Sequence, residues 1–302
     1  MHQTIVVLAA GMGSRYGGLK QLDQFGPSGE AIIDYSLYDA WQAGFESVVF
    51  VIRKQMEEAF RDRFESKLRG KLDLHFVFQE LNRLPAGFTV PKGREKPWGT
   101  AHALWMARDV VKEPLTVINA DDFYGRGAYQ LAYNHFNNTP TTDHCLIGYQ
   151  LRHTVSEFGS VSRGVCEVDP SGYLKAITER TKIYGKEGVL GFEESGQFTP
   201  LSDTTHVSMN LMGFLPDIFT NIEHDFDHFL RSYSQELKAE FFLPLVLDKM
   251  ITNHTGKIKV YQTDERWFGV TYQEDKQLVK DQLISLVYGG IYPENLWRNN
   301  EF

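Results

Sequence analysis

Thr4-Ile-Val-Val-Leu-Ala-Ala-Gly-Met-Gly-Ser-Arg-Tyr-Gly-Gly-Leu-Lys-Gln-Leu22 carries more information than any other stretch of this 302-residue chain. Its β-branched run from Ile5 reads as a buried strand, and Leu8-Ala-Ala-Gly-Met-Gly13 follows at the strand's end. Small residues let the backbone approach a ligand closely, and such a loop after a first parallel strand aims N–H groups at phosphate oxygens. Arg15 and Lys20 set two fixed cations beside it. Glycines for approach and cations for charge are what a polyphosphate requires.

Two familiar phosphate loops are excluded. Gly-x-x-x-x-Gly-Lys-Ser/Thr does not occur, and Gly11-Met-Gly13 continues into Ser14-Arg15 rather than Gly-x-Gly-x-x-Gly. The next strand, Ser47-Val-Val-Phe-Val-Ile52, ends at Arg53, where a dinucleotide site needs an acid to accept from a ribose hydroxyl.

Leu8-Ala-Ala-Gly-Met-Gly-Ser-Arg15 followed by Lys20-Gln-Leu22 instead resembles the signature of the sugar-1-phosphate nucleotidylyltransferases. The resemblance implies that Leu8, Ala9, Ala10, Gly11, Gly13 and Ser14 surround the nucleotide. Arg15 then holds the triphosphate, and Lys20 neutralises charge building at the α-phosphate.

Bulk properties are compatible. With 42% hydrophobic and 23% charged residues the chain is an ordinary globular one. A net charge of −8 opposes nucleic acid as the partner, since backbone binding needs a basic surface. Two cysteines, Cys145 and Cys166, make no disulfide framework and suit a reducing cytosol. Neither a leader nor a membrane-spanning run is expected.

Taken in order, Ala31 to Ala43 and Met56 to Leu68 have helical spacing, and strands are expected at 47–52 and 72–78. Gln79 to Trp98 is basic and broken by Pro85, Gly87, Pro91, Gly93 and Pro97, and reads as a mobile flap beside the nucleotide. A helix from Gly99 to Arg108 follows. In the resembled family a Gln before this loop and a Gly after it read the base. Gln79 and Gly99, with Thr100, match, and Gln79 could offer a pyrimidine edge both a donor and an acceptor. His102, one turn into the helix, is assigned no role.

Leu115-Thr-Val-Ile-Asn119 is the next buried strand, ending in Ala120-Asp121-Asp122-Phe-Tyr-Gly125. Carboxylates at the C-terminal end of a parallel strand face the crevice where such sheets bind ligands. Magnesium held with a triphosphate takes one or two carboxylates, phosphates and water. The family's Gly-Asp-x-(x)-Phe-Tyr-Gly maps the ligand to Asp121, with Asp122 either a ligand or its partner. The family's second metal acid falls at Gly269. In relatives with Gly-Val-Asn the Asn serves, and that position here is Thr271, a weaker neutral ligand.

The second half reads as strands at 144–151 and 159–168, a turn at Asp169-Pro-Ser-Gly172 and a returning strand Tyr173 to Arg180. This resembles the family's sugar-binding hairpin, commonly ended by Glu-Lys-Pro. Glu179 would hold sugar hydroxyls and Arg180, in place of Lys, the sugar's phosphate. Asn210, in the strand His206 to Phe214, is a further sugar contact by resemblance. Tyr184 to Ser202 reads as a polar excursion. Helices are expected from Pro216, over Phe226 to Leu237, over Glu240 to Ile251 and over Gln273 to Leu286, and the apolar tail to Trp297 docks or dimerises.

The expected fold is α/β in three layers. Its mostly parallel, Rossmann-like and GT-A-like sheet carries a smaller mixed β lobe for the sugar. Residues 1–302 form one domain, comprising a nucleotide half (1–143), a sugar half (144–275) and a C-terminal helix and tail. The implied reaction joins a nucleoside triphosphate, UTP or dTTP favoured, to a sugar 1-phosphate with Mg2+. Two rivals stand beside it: a cytidylyltransferase acting on a non-sugar phosphate such as phosphocholine, and a nucleotide-binding homologue impaired at Gly269.

Overall fold

The computed structural model describes residues 1–11, 20–137, 141–156, 159–270 and 273–298. Strand β1 (Thr4–Leu8) leads to α1 (Ile32–Ala43), β2 (Ser47–Ile52), α2 (Glu57–Leu68) and β3 (Asp73–Phe78). After the loop come α3 (Thr100–Trp105), β4 (Leu115–Asn119), the short β5 (Asp122–Phe123) and α4 (Arg126–Asn137). The second half adds β6 (His144–Gln150), β7 (Val161–Val168), β8 (Leu174–Lys186), β9 (Val189–Glu194), β10 (Gln197–Pro200) and β11 (His206–Phe214). It closes with α5 (Ile218–Tyr233), α6 (Leu243–Thr252), β12 (Ile258–Thr263), β13 (Phe268–Gly269) and α7 (Asp275–Tyr288).

Strands β3, β2, β1 and β4 lie side by side and parallel, so the connections between them must cross over through helices. Beyond β4 the direction reverses: β11 is antiparallel to β4, and β6 and β7 are antiparallel to β11. Strands β8, β9 and β10 extend the β7 side as an antiparallel run, while β12 joins β6 in parallel. One sheet therefore runs through both halves, with a parallel core and a mixed lobe.

The pleat sorts the sheet into two cores. Val6, Val49, Val51 and Val117 face α3, α5 and α6, whereas Ile5, Val7, Phe50 and Ile118 face α1, α2 and α4. Helices on both faces make the three layers.

Some elements depart from their sequence reading. Ile218–Tyr233 is one helix, because Ile218, Ile222, Phe226 and Phe229 form a single apolar stripe. The polar stretch after Tyr184 forms β9 and β10, held by ladder pairing and by Leu190 and Phe192, which pack onto the core. Loop 79–98 is irregular as expected but pinned rather than loose. Arg94 is buried, lies 3.4 Å over the Trp98 ring and donates to the carbonyls of Glu236, Pro97 and Ala239.

The tail docks on α1 of its own chain. The Tyr292 hydroxyl donates to Asp39, and Trp297 Nε1 donates to Asp34 at 2.8 Å, beside Arg63 and Lys67. No helix is long and apolar enough to cross a membrane among the described residues.

Candidate active site

The loop after β1 is shaped from below. Ala9 and Ala10 are buried and Gly11 is exposed, with open space where a Cβ would stand. Gln21 Nε2 lies 3.4 Å from the Ala9 carbonyl and 3.3 Å from that of Gly11, and Arg53 Nε donates to the Ala10 carbonyl at 3.0 Å. Carbonyls held from beneath leave the other side of this backbone for a ligand. Leu8, half-buried, is the last strand residue before it. Gly13, Ser14, Arg15 and Thr271, with the side chain of Lys20, lie outside the described residues.

Beside this loop is a pocket of about 220 Å³ lined by Arg53, Gln79, Leu81, Trp98 and His102 among others. Gln79 Nε2 donates to the Gly99 carbonyl at 3.0 Å and meets His102 Nδ1 at 3.1 Å. Both amide hydrogens are thereby turned into the protein, so Gln79 keeps an acceptor but not the expected donor. Gly99 adopts φ 110°, and a Cβ there would lie 2.4 Å from the Phe241 carbonyl oxygen. Only glycine fits that close approach. Thr100 turns its hydroxyl to the Leu243 N–H at 3.0 Å, which anchors α6 against α3.

A second pocket, about 210 Å³, is lined by Asp121, Asp122, Arg163, Glu179, Asn210 and Trp267 with their neighbours. Asp122 is buried and its carboxylate accepts from Asn119 Nδ2 at 2.9 Å. Antiparallel pairing of β5 with β13 sets Gly269 opposite Asp122, and Phe123 stacks on Phe268 at 4.3 Å. A Cβ at Gly269 would stand 2.7 Å from Asp122 Oδ1 and 3.0 Å from the Asp121 carbonyl oxygen. The glycine is thus what admits Asp122, and an acid at 269 has no room beside it.

Tyr124, fully buried, joins the acid pair to β11. It accepts from the Asn119 N–H at 3.0 Å and donates to the Met209 carbonyl at 2.9 Å. Next to Met209, Asn210 has φ 64° within an irregular stretch of the β11–β6 register. Asn tolerates the left-handed region better than most residues, and its side chain lines the pocket.

Glu179 and Arg180 separate. Glu179 opens onto the pocket, where desolvation raises its carboxyl pKa and the Arg163 charge opposes the rise. Arg180 instead pairs with Glu194 of β9 at 3.2 Å and lies over the Phe192 ring. The cation that lines the pocket is Arg163, which the sequence reading did not single out. It is buried, held by the Thr154 and Ser162 carbonyls and stacked 4.5 Å over Trp267. Burial pulls its pKa down to about 10, against the attraction of Asp122 and Glu179. Nothing local in Ser162-Arg-Gly164 signals this, since long-range packing buries it.

Two pockets therefore open at one end of the sheet, one offering an amide acceptor and the other paired acids, hydroxyl acceptors and a buried cation. A family model described as nucleotidyl transferase matches residues 4–237. No curated protein sequence matches the chain. Among solved structures, the chain is similar to a proposed glucose-1-phosphate thymidylyltransferase from Bacillus anthracis in complex with sucrose. Identity there is 14% and the TM-score 0.62, covering 93% of this chain and 95% of that one. The inositol-1-phosphate CTP transferase from T. maritima matches at 14% identity and TM-score 0.60, covering 93% and 96%. A UDP-glucose pyrophosphorylase complexed with UDP-glucose matches at 15% and 0.59, covering 93% and 98%.

Proposed function

The chain belongs to the nucleotidyl transferase family, and on that premise we propose that it transfers the nucleotidyl group of UTP or dTTP to a sugar 1-phosphate. A phosphate oxygen of the sugar attacks the α-phosphorus in line. The new O–Pα bond forms as the bond from Pα to the bridging oxygen breaks, and pyrophosphate leaves with that electron pair. No protein nucleophile takes part, so the chain contributes positioning and charge.

The observation that carries this reading is the second pocket, where Asp121 and Asp122 from β4–β5 meet Glu179 and Asn210 from the sugar half. Glu179 and Asn210 present oxygens and an amide to sugar hydroxyls. Arg163, rather than Arg180, supplies positive charge at that wall. Gly11 with Arg15 and Lys20 holds the triphosphate.

Asp121 and Asp122 suit magnesium, which prefers hard oxygen donors. Among the described residues no three acids, histidines or cysteines gather closely enough to hold a metal by themselves. The fit is therefore to an ion shared with a triphosphate, which would screen phosphate charge when bound. The buried thiols Cys145 and Cys166 suit a reducing, cytoplasmic setting.

Five triphosphates assayed against a panel of sugar 1-phosphates, reading pyrophosphate, test the proposal. Release with UTP or dTTP and a sugar 1-phosphate supports it. Release only with CTP and phosphocholine, or nucleotide binding without release from any pair, overturns it.

A further inference from the structure

Within the base pocket, the hydrogen bonds fix more than shape. His102 is fully buried, and its Nε2 lies 2.8 Å from the Arg83 carbonyl oxygen. A carbonyl only accepts, so Nε2 carries the hydrogen. Burial lowers the ring pKa to about 4, which leaves the imidazole neutral at pH 7 and Nδ1 bare. A bare nitrogen 3.1 Å from the Gln79 amide must receive a hydrogen, so Nε2 and not Oε1 of Gln79 faces it. The Gly99 carbonyl, 3.0 Å from the same Nε2, imposes the same polarity. Among the described residues no hydrogen bond reaches Gln79 Oε1. Chemistry rather than chance thus sets which way the amide points.

We infer that His102 is a positioning residue that locks Gln79 as a pure acceptor, so that the pocket takes a pyrimidine with an N–H at ring position 3, uracil or thymine, over cytosine. With Oε1 opposite ring position 3, uracil and thymine present N3–H to it. Cytosine presents a lone pair there, which is repelled, and Gln79 has no free N–H left to satisfy cytosine N3. This rests on the nucleotidyl transfer reading and names the residue that sets the base preference within it. Arg83, in the pinned loop, acts one step further back by choosing the tautomer.

His102→Leu and His102→Asn separate positioning from packing. Both lose the imidazole, but Asn returns an acceptor near the place of Nδ1. Calorimetric binding of UTP and CTP to each folded variant is the main measurement. The wild type is expected to favour UTP by at least about tenfold. In His102→Leu that ratio falls by about tenfold, the change confined to the triphosphate KM in turnover assays, and Asn keeps it within about twofold. Equal losses for UTP and CTP in both variants, or a wild type that binds CTP as well as UTP, overturn the inference. Long-range proton–nitrogen spectra of the wild type give a readout that needs no variant: an Nε2–H neutral ring is expected, and an Nδ1–H ring refutes the lock. Should no triphosphate and sugar phosphate release pyrophosphate, the reaction falls, while binding ratios and tautomer still decide the role of His102.

Discussion

In β1 to β4 all strands run one way, so Ala9–Gly11, Arg53, Gln79 and Asp121–Asp122 each follow a strand's C-terminus and collect at one edge. In β7 to β11 neighbours alternate in direction, and a side chain's address depends on register instead. Adjacent residues leave a strand on opposite faces, and Glu179 and Arg180 show the result: one lines the pocket, the other meets Glu194 on β9. Position in the chain is enough to place a group in the parallel half. In the antiparallel half a shift of one residue moves it out of the site.

The sharpest test falls on the parallel edge. Asp121→Asn should cut turnover by about 10²–10³, or roughly 3–4 kcal/mol of transition-state stabilisation, with the melting temperature nearly unchanged because Asp121 is only half-buried. A rate within threefold of wild type would remove the acid pair from the chemistry. Placing at 269 the acid that the family resemblance leads one to expect comes next. Gly269→Asp should destabilise by about 3 kcal/mol through overpacking and lose activity, since its Cβ meets Asp122 at 2.7 Å. Tighter magnesium binding with an unchanged melting temperature would show that the pairing of β5 and β13 yields.

Smaller effects probe register. Glu179→Gln should raise the acceptor KM by about tenfold, the worth of one charge-assisted hydrogen bond. Because its folded pKa is raised above the ordinary 4.5, the wild-type carboxylate takes up a proton earlier on acidification than a solvated Glu. Acceptor KM should accordingly climb as pH falls toward that value from above, and the Gln variant should flatten the climb. Arg180→Ala, by contrast, should stay within about twofold in both parameters, as exposed ion pairs contribute little. A tenfold rise in its acceptor KM would break the comparison between the two halves.

The parts legible in sequence follow the same division. The buried β-branched strands and the irregularity of loop 79–98 were legible in local pattern, whereas the roles given to Gln79, Gly99 and Asp121 came from the family resemblance. Arg163, Gln21 and His102 were legible in neither, because their roles come from carbonyls and rings brought from distant segments: Thr154 and Trp267, Ala9, and Arg83 with Gln79. Loop 79–98 looked loose because Pro and Gly exclude regular structure, but burial of Arg94 among three carbonyls fixes it without secondary structure. Gly269 read as a lost ligand; packing makes it the space for Asp122.

The docked tail has a consequence for how the chain is made. Tyr292 reaches Asp39 across 253 residues of sequence, and Trp297 reaches Asp34 across 263. Chains fold from the N-terminus as they are synthesised, so α1 emerges long before the segment that covers it. During that interval the buried Asp34 has Arg63 and Lys67 soon available, but Asp39 waits first for Arg126 and then for Tyr292. A nascent chain stalled before residue 292 would show chaperones a helix face with an aromatic gap, and completion of the tail would be the event that withdraws it.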